Sequence, residues 1–140
     1  DGERYPPFWT LPSGTLEAGE TAHEGIYREV KEETGADIAS VDGLAFAGHH
    51  ISEAEQCLTN FFVFLVSIDS NSTLTPMDPD AEIVDARFFT IKQSTEHLKK
   101  IPFDMMRDPP LHYLNNTASE KTPFWIYRQN KDGVYDVCVF

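Results

Sequence analysis

The stretch Gly14-Thr15-Leu16-Glu17-Ala18-Gly19-Glu20-Thr21-Ala22-His23-Glu24-Gly25-Ile26-Tyr27-Arg28-Glu29-Val30-Lys31-Glu32-Glu33-Thr34-Gly35-Ala36 decides the fold. Three of its carboxylates, Glu29, Glu32 and Glu33, are spaced three and four residues apart. On a helix that spacing puts them on one face, with neighbouring Cβ atoms about 5–6 Å apart. Like charges so placed repel and cost helix stability, so a chain that keeps them together is expected to neutralise them with a cation. Clustered carboxylate oxygens are hard ligands, suited to Mg2+, Mn2+ or Ca2+ better than to zinc.

The flanking residues predict a loop, a helix and a second loop. Trp9-Thr10-Leu11-Pro12-Ser13-Gly14 reads as a short apolar strand broken into a loop by Pro and Gly. Glu20-Thr21 opens a helix, with acidic charge in its first turn set favourably against the helix dipole. Ala22, Ile26 and Val30 recur four apart as a buried stripe, and Gly35 ends the helix as a C-terminal glycine. Glu29, Glu32 and Glu33 lie off that stripe. The helix therefore has an apolar back and an acidic front.

Gly14, Glu20, Arg28, Glu29, Glu32, Glu33 and Gly35, with Val30 as the bulky aliphatic, resemble the Nudix box, G-x5-E-x7-R-E-U-x-E-E-x-G-U. Every fixed position is met. Ala36 holds the last aliphatic slot and is smaller than the family prefers; Ile38 is near enough to pack in its place. The resemblance covers 23 residues. It implies a divalent-metal-dependent hydrolase that cleaves a phosphoanhydride bond in a nucleoside diphosphate linked to another moiety X, or in another pyrophosphate. Carried onto this chain, Mg2+ or Mn2+ would be held by Glu29, Glu32 and Glu33, joined by a backbone carbonyl at Ser13 or Gly14. Arg28 would orient the carboxylates, and Glu20 would tie the loop to the helix. Outside this motif Arg28 would read as an ordinary surface ion pair. The implied fold is an α/β/α sandwich around a mixed sheet. A homodimer is the assembly the family suggests.

Length and charge bound the alternatives. At 140 residues the chain is read as a single domain, residues 1–140, with a substantial core. Its 23 acidic and 11 basic residues give a net charge of −12, which argues against a nucleic-acid backbone or an anionic membrane as partner. An acidic enzyme still handles phosphates when a bound cation supplies the positive charge. Cys57 and Cys138 make neither a disulfide framework nor a zinc site, and both are expected to be buried thiols. With no signal peptide or apolar span, the expected location is cytoplasmic.

The rest of the chain is read more coarsely. The family sets one or two strands ahead of its box, whereas thirteen residues precede Gly14 and the first seven look like the end of a loop. The N-terminal strands are thus expected to be absent through truncation, or replaced. Residues 42–51 read as a strand, with Leu44, Phe46 and His50 alternating. The apolar run 58–68 is expected to be a central strand covered on both faces. A polar loop over 69–80 leads to a late strand at 86–91 and a helix at 94–100. A second helix spans 108–115, with Pro109 and Pro110 near its first turn. The runs 123–128 and 134–140, separated by a turn with an Asp-Gly step, predict a C-terminal hairpin over about 123–140. That hairpin either completes the sheet or is exchanged in a dimer.

Hydrolysis of a bridged diphosphate requires a base. Glu32 and Glu33 could act as base as well as ligand. Some family members instead use a glutamate in the loop before the late strand, where this chain has Glu82, with Asp80 and Asp85 as weaker competitors. For Glu82 the competing assignment is a solvated loop acid. His49 and His50 end a strand, and alternation would aim only one of them at a pocket. The rival class is a catalytically inactive Nudix-like nucleotide sensor. Such sensors usually lose box glutamates, and all remain here.

Overall fold

A computed structural model describes residues 5–140. The loop expected over the first seven residues therefore lies partly outside the described residues. Along the chain run helix α1 (Ala22–Thr34), strands β1 (Ile38–Ser52) and β2 (Cys57–Ile68), helices α2 (Ile91–Leu98) and α3 (Asp104–Asn115), and strands β3 (Phe124–Gln129) and β4 (Tyr135–Val139). The strands form one mixed sheet in the order β2-β1-β3-β4. β1 runs antiparallel to β2 and parallel to β3, and β4 returns antiparallel beside β3. The fold is α/β, a mixed sheet with helices, as the box implied.

Local chemistry sets the ends of α1. Thr21 is its N-cap, and its hydroxyl accepts the Glu24 amide while the Glu24 carboxylate accepts the Thr21 amide, a reciprocal capping box. At the far end Gly35 takes a left-handed conformation, φ +76°, and donates its N–H to the Lys31 carbonyl. Ala36 is only 2% exposed, so the small residue fills the last aliphatic slot itself.

The centre of the sheet is β1. Ala45, Phe46 and Ala47 are buried there, and Gly48 lets Trp125 and Phe61 close on the backbone; a Cβ at 48 would meet both. Three register shifts against β2 interrupt simple alternation between residues 38 and 46. The core joins Phe46 to Trp125 and Tyr127 of β3, with Phe61, Val63, Met105 and Tyr113 packed around them. Helix α3 closes this face through edge-on contact of His112 with Trp125 and approach of Tyr113 to Phe46.

Six expectations need correction. The run 58–68 is an edge strand: among the described residues β2 has one neighbour, and Leu58 (56%) and Phe62 (57%) stand exposed. Apolar content alone cannot distinguish an edge from a centre, and the Ala/Gly-rich β1 packs more closely. Residues 9–14 and 86–91 form no strand. Instead Thr90 caps α2, exchanging bonds with Gln93, so that helix starts at Ile91 rather than near 94. Helix α3 begins at Asp104, which puts Pro109 and Pro110 in its interior, where they forgo two backbone bonds and bury their rings. Finally, Cys138 is exposed on β4 and Cys57 is half-buried.

The C-terminal strands join the sheet of their own chain. β3 lies against β1 from Ala47↔Phe124 to Ser52↔Gln129. The turn to β4 is organised by Asn130, whose side chain accepts the amides of Asp132 and Val134, with Gly133 at φ +79°. Among the described residues no helix is long and apolar enough to cross a membrane.

Candidate metal and catalytic cleft

A cleft of about 530 Å³ opens between the loop before α1, the acidic face of α1, and the loop 78–83. Its walls carry Glu17, Glu29, Glu32, Glu33, Asp78, Asp80 and Glu82 against the single guanidinium of Arg28. Ser13 and Gly14 form its edge. The structure thus brings Ser13, Gly14, Arg28, Glu29, Glu32, Glu33 and Glu82 to one place, across almost seventy residues of sequence.

Arg28 is saturated. Its five N–H groups meet Glu20 twice (2.8 and 2.9 Å), Glu29 (2.8 Å), Glu32 (3.1 Å) and the Thr15 carbonyl (3.1 Å). These bonds, led by the one to Glu20, raise the guanidinium pKa above its ordinary value. They hold the Glu20 carboxyl down at about 2, and the Glu17 amide adds to the effect. Arg28 therefore bonds two box carboxylates, and Glu20 bonds both Arg28 on the helix and the Glu17 amide in the loop.

Glu33 lies outside this ion-pair network. It accepts the Ser13 amide at 2.8 Å, which pins the loop to the helix. Burial pushes its pKa up, opposed by that bond and reinforced by the charges of Glu29, Asp78 and Glu32. Gly14 lies beneath Glu29, whose carboxylate fills the space a side chain at 14 would need.

The donor set fits a hard divalent cation. It is all oxygen, it carries far more negative charge than Arg28 offsets, and the Glu29 carboxylate lies in the space that a side chain at Gly14 would fill. Among the described residues no three acidic, histidine or cysteine groups already converge as a closed ligand shell. Glu29 and Glu32 each give one oxygen to Arg28, and Glu33 gives one to the Ser13 amide, so the second oxygen of each could meet a cation while these bonds stay in place.

Loop 78–83 reaches the cleft because the segment before it docks on the end of α1. The amides of Thr75 and Met77 satisfy the carbonyls of Thr34 and Glu32, which the helix leaves free. Asp78 and Asp80 line the cleft as well. Asp78 was missed, although Asp78-Pro79-Asp80 is a turn signal in which an Asp side chain binds amides further along. Asp85 pairs with Arg87 and does not line the cleft. His49 and His50 also lie outside its lining: His49 packs edge-on against Phe124, and His50 approaches Tyr135.

The chain and its fold have relatives. The NUDIX domain family model matches residues 2–108, and the chain belongs to that family. Nudix hydrolase 6 of Arabidopsis thaliana is 36% identical over 85 residues, covering 61% of this chain and 29% of the relative. Nudix hydrolase 10 of the same plant is 27% identical over 115 residues, covering 82% and 39%. The chain thus spans well under half the length of either. A Mutator MutT protein from Bacillus halodurans superposes with a TM-score of 0.62 at 17% identity, over 94% of this chain and 82% of that one, which speaks to the fold alone. Most of α3 and the whole β3–β4 hairpin lie beyond the family match.

Proposed function

We propose that this domain hydrolyses a phosphoanhydride bond in a nucleoside diphosphate linked to another moiety X, or in a comparable pyrophosphate. The supporting observation is the cleft in which the three box glutamates face loop 78–83 with one guanidinium among seven carboxylates. Such a surface repels a diphosphate until a cation is added, so substrate and metal should bind together. Glu29, Glu32 and Glu33, with a carbonyl at Ser13 or Gly14, would hold Mg2+ or Mn2+. When bound, the metal supplies charge neutralisation at the phosphoryl oxygens and lowers the pKa of water.

The chain's own residues do the rest. Arg28 fixes Glu29 and Glu32. Glu82 lines the cleft from loop 78–83 and takes the proton of the attacking water; Glu32 and Glu33 are the alternatives for that role. Placement within hydrogen-bond reach matters more here than a shifted pKa. A cytoplasmic, homodimeric enzyme completes the proposal on family resemblance, and size-exclusion chromatography with light scattering tests the dimer.

The test is phosphate or mononucleotide release from a panel of ADP-ribose, oxidised nucleotides, dinucleoside polyphosphates and thiamine-pathway pyrophosphates, with Mg2+, Mn2+ or EDTA. Metal-dependent turnover of one class is expected. Nucleotide binding with no turnover on any of them would favour the sensor.

A further inference from the structure

The carboxylate of Asp78 is spent on its own loop. Its Oδ2 accepts the amides of Glu82 (2.8 Å) and Ile83 (2.9 Å), and its Oδ1 accepts the amide of Asp80 (3.1 Å). The Asp78 carbonyl takes the Ala81 amide at 3.1 Å, closing a turn in which Ala81 sits at φ +56°. A carboxylate offers roughly four lone-pair sites, and three are committed here. One residue earlier, the Met77 amide is bonded at 2.7 Å to the backbone carbonyl of Glu32. A continuous chain of bonds thus runs from the helix that carries the box glutamates, through Met77 and Asp78, to the backbone of Glu82.

We propose that Asp78 is a positioning residue that sets Glu82 against the box carboxylates, rather than a ligand in its own right. The proposal rests on the hydrolase reading and on Glu82 as the group that takes the proton. A misplacement of about 1 Å at a reacting group can cost on the order of a hundredfold in rate. The Glu82 and Ile83 amides are held by the Asp78 side chain, so its removal opens the loop to that loss.

Two measurements test it. The first needs no substrate: amide hydrogen exchange by NMR in wild type and Asp78→Ala. Glu82 and Ile83 should be protected in wild type and unprotected in the variant, with amides in the middle of α1 unchanged. Unprotected Glu82 in wild type, or protection that survives Asp78→Ala, overturns the proposal even if no substrate is ever turned over. The second is a double-mutant cycle with Glu82→Gln. Asp78→Ala should lower kcat about a hundredfold with KM nearly unchanged, and should cost little more when Glu82→Gln is already present. Asp78→Asn, whose amide oxygen still accepts from Glu82 and Ile83, should recover most of kcat. Additive losses, or a loss in KM alone, would overturn the assignment, whereas absence of wild-type turnover with the exchange pattern intact would count against the hydrolase reading instead.

Discussion

The Glu29 carboxylate lies over Gly14 in the volume where a side chain at position 14 would begin. A methyl group there would overlap the tip of a flexible side chain rather than backbone. Gly14→Ala should therefore leave the melting temperature within a few degrees of wild type while swinging Glu29 out of place. Metal-dependent turnover should fall at least about tenfold, as expected when a reacting geometry is lost. Parallel thermal unfolding and kinetics check this, and a variant that kept full activity would show that Glu29 need not stay where it is.

Gly35 makes the opposite prediction. It sits at φ +76°, and a Cβ would run into the backbone of Thr75, which cannot step aside as a glutamate tip can. A left-handed conformation costs an ordinary residue about 1–2 kcal/mol. With the collision added, Gly35→Ala should destabilise by roughly 2 kcal/mol or more in urea unfolding. The contrast with Gly14 separates a glycine kept for the site from one kept for the fold.

That contrast also marks how far the sequence was legible. The helix from Ala22 to Thr34, its glycine stop and its acidic face were readable because capping, periodicity and spacing act within a few residues. Phe88, Phe89 and Ile91 look like strand at 86–91, but the Thr90–Gln93 capping box starts α2 there instead. Edge against centre was hidden for β2, since sheet order is set by partners far away in sequence. The cleft was half legible. The box was plain, but Asp78 and Asp80 join it only because Thr75 and Met77 dock on the end of α1.

Acid should loosen the loop ahead of the helix. The Glu20 carboxyl is held at about 2, below its ordinary 4.5, chiefly by its bond from Arg28. A depressed carboxylate pKa contributes stability that is present above the unfolded value and lost as pH falls through the folded one. The contribution should be complete above pH 4.5 and fade towards pH 2. Urea midpoints of wild type and Glu20→Gln, compared between pH 7 and pH 3, should therefore converge as pH drops. A gap that stays constant would mean the ion pair adds nothing to the fold.

Tyr127 offers a stabilising substitution. It is 1% exposed, and among the described residues its hydroxyl has no hydrogen-bond partner. Burial, and then the charges of Asp108 and Asp104, raise its pKa, so the phenol stays neutral. An unpaired buried polar group costs about 1–3 kcal/mol. Tyr127→Phe should raise the unfolding free energy by about 1 kcal/mol; a loss of that size would show that the hydroxyl has found a partner.

The most direct measurement is turnover of the preferred diphosphate by wild type and Glu33→Gln, each with Mg2+ and with EDTA, alongside thermal unfolding. Wild type should be active only with metal, and Glu33→Gln should lose about a hundredfold or more while melting at a similar temperature. Equal rates in the two proteins, or turnover that survives EDTA, would contradict the assignment of the box carboxylates to a metal-dependent hydrolase.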